Sequence, residues 1–133
     1  MKNDNQTLAA KIVLLKEARL QTLKLHKLLL DIERNKYEGQ NGQVTSGQFL
    51  NLLLNEPDLQ WLRKFSTLIV QIDEMLDLDD GYTEEMVDKF WGEIRNLINF
   101  NFADAEFESK YKNSIQTDAT VAVKHSELKK MFA

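Results

Sequence analysis

The chain has 133 residues, of which 43% are hydrophobic, and this is enough for one domain, residues 1–133, with its own core. It contains no Cys, so disulfides, thiolate nucleophiles and Cys-ligated metal centres are excluded, and a reducing compartment, the cytoplasm, is the expected location. Lys11, Lys16 and Glu17 interrupt the first apolar stretch, which is therefore too charged for a secretory signal or a membrane span.

The net charge of -4 is unevenly distributed along the chain. Residues 1–30 carry six basic and two acidic side chains, whereas residues 56–93 carry eleven acidic and three basic ones. We expect these two segments to attract each other, within one chain or between two copies. Because the chain as a whole is acidic, it is not expected to bind nucleic acid or a membrane surface.

The first predicted helix runs from roughly residue 7 to residue 37, because no Pro or Gly occurs before Gly39. Its apolar residues are Leu8, Ile12, Leu15, Leu23, Leu28, Ile32 and Tyr37. Such a helix is about 45 Å long, whereas a compact globule of this size has a diameter near ~36 Å. We therefore expect the helix to overhang its domain and a second surface to cover its apolar end.

A chain reversal and a short helix follow. The stretch from Glu38 to Gly47 contains three Gly among polar residues, which indicates a turn. Thr45 and Gln48 have the spacing of a capping box and predict a short apolar helix at residues 49–54.

The next predicted helix is the most regular in the chain. Pro57 is the only proline and suits the first turn of a helix. Apolar residues then step by three or four positions from residue 59 to residue 78, which predicts a core helix. They are Leu62, Phe65, Ile69, Ile72 and Leu76.

The last part of the chain predicts two or three more helices. Thr83 is a predicted N-cap for a helix whose apolar residues are again three or four positions apart. Aromatic residues between Phe100 and Tyr111 have only approximate helical spacing, and Asp118 or Thr117 is expected to cap a final helix.

These elements predict an all-α, mainly antiparallel bundle of about five helices with a long N-terminal helix. No alternation of apolar and polar residues typical of strands occurs. The predicted core consists of Leu23, Leu30, Phe49, Leu53, Leu62, Phe65, Ile69, Ile72, Val87, Phe90 and Ile94.

One polar seam on the first helix is the strongest candidate for a small-molecule or metal site. His26, Glu33 and Tyr37 lie along one face, and Arg63 and Asp73 on the core helix are candidate partners. Such groups could bind a ligand or act as an acid and base pair. The alternative is a hydrogen-bonded polar layer that fixes helix register. His26 and Glu33 are about 10 Å apart along the axis, which favours this alternative.

Sequence motifs for known metal chemistry are incomplete. No Glu lies three residues before either His, as the Glu-x-x-His motif of di-iron bundles requires. The acidic stretch at Asp77 to Asp88 lacks the Gly and the final Glu of a calcium loop. No catalytic residue, cofactor or metal is therefore predicted.

Three strings resemble a family of small, uncharacterised, all-helical bacterial proteins: "LHKLLLDIERNKYEGQNG" at residues 25–42, "FLNLLLNEPDLQWLRKFSTLIVQIDEMLD" at residues 49–77 and the tail "ATVAVKHSELKKMF". The resemblance implies a bacterial, soluble protein and carries no activity, cofactor or site residue.

The functional expectation is a non-enzymatic interaction or regulatory module that forms a homodimer and binds, in addition, another cytoplasmic protein. The alternative is a helical bundle, such as a hydrolase, that binds a small molecule or metal around His26 and Glu33. A polar cavity at the seam favours the second function, whereas a closed seam with apolar surface exposed elsewhere favours the first.

Overall fold

The computed structural model describes residues 7–101 and 103–133. Within these ranges the chain forms six α-helices and no strand, which confirms the predicted all-α class. A 3₁₀ turn at Pro57–Leu62 leads directly into the third helix. The helices are α1 (Leu8–Asn41), α2 (Ser46–Asn55), α3 (Arg63–Leu76), α4 (Glu84–Ile98), α5 (Ala105–Thr117) and α6 (Ala119–Lys130).

Side-chain caps begin the helices where the sequence predicts them. The Thr45 hydroxyl accepts from the Gln48 backbone N–H at 3.1 Å, and the Gln48 side chain accepts from the Thr45 N–H at 2.8 Å. Thr83 accepts from the N–H of Met86 and so caps α4. Asp118 rather than Thr117 caps α6. Each cap satisfies backbone donors that a helix start leaves unpaired.

The helix count and several boundaries differ from the prediction. α1 continues through Gly39 and ends only before Gly42, whose φ of 89° is typical of glycine. Pro57 opens a 3₁₀ turn instead of an α-helix. Asp104 caps α5, and this well-formed helix, together with α6, raises the count to six.

α1 is the helix against which most of the domain packs. It contacts α3, α4 and α6, and its buried residues lie between Ile12 and Leu29. α1 and α3 are antiparallel, because Arg19 contacts Asp73 whereas His26 stacks on Phe65. The buried strip of α1 consists of Ile12, Leu15, Ala18, Thr22, Leu25 and Leu29.

The buried face of α1 is rotated relative to the predicted core. Leu23 and Leu30 are only half-buried, as is Leu53 on α2, whereas the eight other predicted core residues are buried. Leu25 and Leu29 take the central positions on α1 instead. The residues of the predicted seam therefore lie at the border of the core.

Aromatic rings fill the core beneath α1. Phe65 is fully buried and contacts the rings of His26, Phe107 and Tyr111 at centroid distances of 5.3–5.9 Å. Trp61 packs edge-on against Phe107. This cluster joins α1, α3 and α5. Other faces of α3 contact α4 or are exposed to solvent.

The last third of α1 lies outside the core and contacts the loop that follows it. Leu29 is the last buried residue of α1, and the side chains beyond it are exposed or half-buried. Arg34 donates to the carbonyl of Val44, and Glu38 accepts from the Val44 N–H. The exposed apolar residues of α1 lie in its first half. They are Val13, Leu14 and Leu20.

Within the two described ranges, no helix has both the length and the hydropathy required to cross a membrane.

Truncation of the buried strip should destabilise the domain. Leu25 is fully buried, and we expect Leu25→Ala to lower the free energy of unfolding by about 3 kcal/mol, because it removes apolar burial and leaves a cavity. Leu54 on α2 is 55% exposed, and the control Leu54→Ala should cost about 0.5 kcal/mol or less. Urea unfolding measures the free energy of unfolding of both variants. Equal decreases in the two variants would contradict the assignment of Leu25 to the core and of Leu54 to the surface.

Candidate functional site

Asp73 on α3 forms an ion pair with Arg19 on α1. The Arg19 guanidinium donates to both carboxylate oxygens of Asp73, at 2.7 and 2.9 Å. This two-pronged geometry fixes the orientation of both side chains. The Arg19 and Asp73 side chains are partly exposed, 26% and 47%, so the pair aligns α1 with α3 more than it stabilises the fold.

His26 faces the aromatic core rather than a polar cleft. Its ring stacks on Phe65 at a centroid distance of 5.9 Å. Burial lowers the pKa of His26 to about 4, because the charged imidazolium loses hydration without gaining an anionic partner. His26 is therefore neutral at pH 7.

Glu33 and Tyr37 lie beyond His26, on the part of α1 that leaves the core. Glu33 pairs with Lys36 at 3.7 Å. It lines an open cleft of about 490 Å³ that also contains Asp58 and Lys110. Tyr37 is half-buried and does not line this cleft.

Arg63 lies at the start of α3, far along the helix from Asp73. It donates to the carbonyl of Leu54 at 2.6 Å and so ties α2 to α3. It also lines a cleft of about 520 Å³ between α3 and α4.

The structure does not bring the five predicted site residues together. Asp73 is paired with Arg19, His26 packs on an aromatic ring, and Arg63 and Glu33 line different clefts. Among residues 7–101 and 103–133, no three His, Asp or Glu side chains are grouped so that they could hold a metal ion. The seam therefore has the geometry of a polar border around the core.

The cleft between α3 and α4 is lined by many polar side chains, and no pattern in the sequence predicted it. These side chains come from α3, from α4 and from the segments next to them, so no single sequence motif marks the cleft. The polar residues that line it are Gln60, Arg63, Lys64, Thr67, Gln71, Glu93, Asn96, Asn101 and Asp104.

Glu93 carries the most unusual polar atom of this cleft. Its Oε2 is buried and accepts no hydrogen bond from any described residue. A buried carboxylate oxygen without a donor costs free energy, because its hydration is lost without replacement. The same helix presents Asn96 to the cleft one turn further on.

A second polar pair, Tyr111 and His125, is enclosed between α5 and α6. The Tyr111 hydroxyl lies 2.6 Å from Nδ1 of His125, and Tyr111 is fully buried. Burial raises the pKa of Tyr111, and burial followed by the charge of Lys129 lowers the pKa of His125. Both side chains are therefore neutral at pH 7, as a structural hydrogen bond in the core requires.

Two charged surfaces lie outside the clefts. The basic face is the solvent side of α1 at residues 13–27, where Lys16, Lys24 and Lys27 surround Val13 and Leu20. These five positions fall within about 100° of each other around the helix, opposite the buried strip. Glu17 shares this face and binds the side chain of Gln21.

The acidic tip is the end of the bundle formed by the last turn of α3 and the start of α4. Leu78 is 45% exposed there and is surrounded by carboxylates. These carboxylates are Glu74, Asp77, Asp79, Asp80 and Glu85, all of them exposed. None of the five forms an ion pair with another described residue, whereas the adjacent Glu84 pairs with Lys11 at 3.5 Å.

Comparison with protein-family models, with curated proteins and with solved structures finds no match to the chain. The resemblance to small bacterial helical proteins therefore stays a prediction.

The buried state of His26 predicts how stability depends on pH. Its pKa is lowered to about 4 in the folded chain from an ordinary value of 6.5, so the folded state loses stability as the pH falls below 6.5. The loss from this group is about 2 kcal/mol between about pH 7 and pH 5.

The variant His26→Leu should keep its stability at pH 7, and its unfolding midpoint in urea should fall less than that of the wild-type chain on acidification. The decrease that remains in the variant belongs to other groups, including His125, whose pKa is also lowered. Identical pH dependence in the two proteins would show that His26 is not buried in its neutral form.

Proposed function

We propose that the chain is a non-enzymatic protein-interaction module of the bacterial cytoplasm and that its partner is a second copy of itself. The proposal is supported by one observation above all. Both surfaces carry charges that pair with no described residue of the same chain, next to exposed apolar side chains: Val13 and Leu20 on the basic face and Leu78 on the acidic tip.

The two surfaces are adjacent on the same half of the molecule. Lys11 pairs with Glu84 and Asp88 at the start of α4, and Arg19 pairs with Asp73 near the end of α3. The first half of α1 therefore lies beside the tip. Its inward basic residues neutralise nearby acids, while Lys16, Lys24 and Lys27 point away from them.

Because the basic face and the acidic tip are adjacent, they suit a two-fold symmetric dimer. When two such molecules approach across a two-fold axis, the basic face of each meets the acidic tip of the other, so the contact forms twice. Val13 and Leu20 on one side and Leu78 on the other supply apolar contacts between the charges. The charges orient the two copies and exclude mismatched approaches, and the apolar contacts add to the affinity.

The ionisable groups at the border of the core and within it support a binding rather than a catalytic function. Arg19 and Asp73 are held in an ion pair, and His26 is packed on Phe65. Tyr111 and His125 are hydrogen-bonded to each other inside the core.

Paired charge reversal tests this contact. Variant one, Lys24→Glu with Lys27→Glu, makes both surfaces acidic. Variant two, Asp77→Lys with Asp79→Lys and Asp80→Lys, makes both basic, because three lysines then outnumber the two carboxylates that remain on the tip. Each variant alone should self-associate at least about tenfold more weakly than the wild-type chain, because both contacts become repulsive. Mixed together, the variants should form a heterodimer in which both contacts are restored.

Sedimentation velocity on each variant and on the mixture measures these outcomes. Lys129→Glu with Lys130→Glu on α6 is the matched control, since it reverses two exposed charges outside the two surfaces. The proposal is wrong if this control weakens association as much as variant one does, or if the mixture stays monomeric.

A further inference from the structure

We infer that the cleft between α3 and α4 is a binding site for a small extended zwitterion, a molecule with an ammonium group at one end and a carboxylate at the other. An ω-amino acid and a short peptide belong to this class. The inference is independent of self-association. It rests on two charged residues that lie at opposite ends of the cleft, Glu93 and Arg63.

Glu93 supplies the site for the ammonium group. Its Oε2 is buried without a hydrogen-bond donor, and the carboxylate forms no ion pair with a described residue. An N–H donor that enters the cleft and reaches this carboxylate would replace the hydration that burial removes. The amide oxygens of Gln71 and Asn96, which line the same cleft, can accept the remaining ammonium protons.

Arg63 supplies the site for the carboxylate. Its guanidinium uses one nitrogen to donate to the Leu54 carbonyl and forms no ion pair with a described residue. The neighbouring Lys64 pairs with Asp104 at 3.3 Å, so Arg63 is the cation whose charge is not balanced at this end. A guanidinium with remaining N–H donors is well suited to a carboxylate.

The antiparallel packing of α3 and α4 places these charges at opposite ends of the cleft. Lys64 at the start of α3 contacts Asp104 beyond the end of α4, so Arg63 lies at that end. Glu93 precedes the end of α4 and faces the middle and the later turns of α3, where Thr67 and Gln71 line the wall. Arg63 and Gln71 are about 12 Å apart along the axis.

The size of the cleft agrees with a ligand of this length. A volume of about 520 Å³ lies within the range of small-molecule sites. The charged ends of extended 6-aminohexanoate are about 8 Å apart, which leaves room for hydrogen bonds at both ends. Leu68 and Leu97 in the wall offer contact to its methylene chain.

Titration calorimetry on the full chain with three matched probes tests the inference. The probes are 6-aminohexanoate, hexylamine and hexanoate, which share a chain length and differ in their charged ends. We expect 6-aminohexanoate to bind at least about tenfold more tightly than either single-ended probe, because only it satisfies both charges. Equal affinities for the three probes, or no binding of any at millimolar concentration, would overturn the inference.

Two variants assign the ends of the ligand. Glu93→Gln should weaken binding of 6-aminohexanoate and of hexylamine but leave hexanoate unaffected, whereas Arg63→Gln should weaken 6-aminohexanoate and hexanoate. Glu127→Gln, an exposed carboxylate on α6, is the control and should change nothing. Loss of binding in the control, or unchanged binding in both cleft variants, contradicts the assignment. Because the comparison of the three probes uses the wild-type chain, it tests the inference even if a cleft variant fails to fold.

Discussion

Burial of one strip of α1 is the constraint on which the rest of the structure depends. Leu15, Leu25 and Leu29 are fully buried or nearly so, and α1 contacts α3, α4 and α6. Because that strip faces inward, the opposite side of α1 must face solvent, including Val13 and Leu20 between lysines. The basic face is thus a direct consequence of how the core uses the first helix.

Charge then determines how the helices meet. The Arg19 and Asp73 pair aligns α1 with α3, and Lys11 aligns α1 with the start of α4. Partly exposed pairs of this kind contribute about 0.2–1 kcal/mol each, so they select an arrangement more than they stabilise it. These pairs involve only some of the carboxylates of residues 56–93. Five of the carboxylates without an ion-pair partner form the acidic tip.

The sequence predicts local structure well where one residue has one physical role. Thr45, Thr83 and Asp118 cap helices because hydroxyl and carboxylate oxygens satisfy free backbone donors at helix starts. The three-and-four spacing on α3 and α4 identifies Phe65, Ile94 and their neighbours as core residues. In each case the signal lies within a few residues of the feature.

Features that depend on several helices could not be predicted in this way. α1 carries apolar residues around much of its circumference, so spacing alone did not decide between Leu23 and Leu25 as the inward residue. The polar cleft arises only when α3 and α4 pack antiparallel, and Glu93 stands out because of burial, not because of a motif. His26, Glu33 and Tyr37 share a helical spacing in the sequence. In space, these three residues and their predicted partners Arg63 and Asp73 divide between the border of the core, an ion pair and two clefts.

The mass of the wild-type chain in solution tests the proposed self-association through complementary charged surfaces. Sedimentation equilibrium at about 20 mM and at about 1 M salt compares conditions in which exposed charges interact over long and short distances. We expect a mass near twice the 15.5 kDa of one chain at low salt, and a shift towards 15.5 kDa at high salt. A chain that keeps the mass of a monomer at low salt and high protein concentration would contradict the proposal, and so would a dimer that is insensitive to salt.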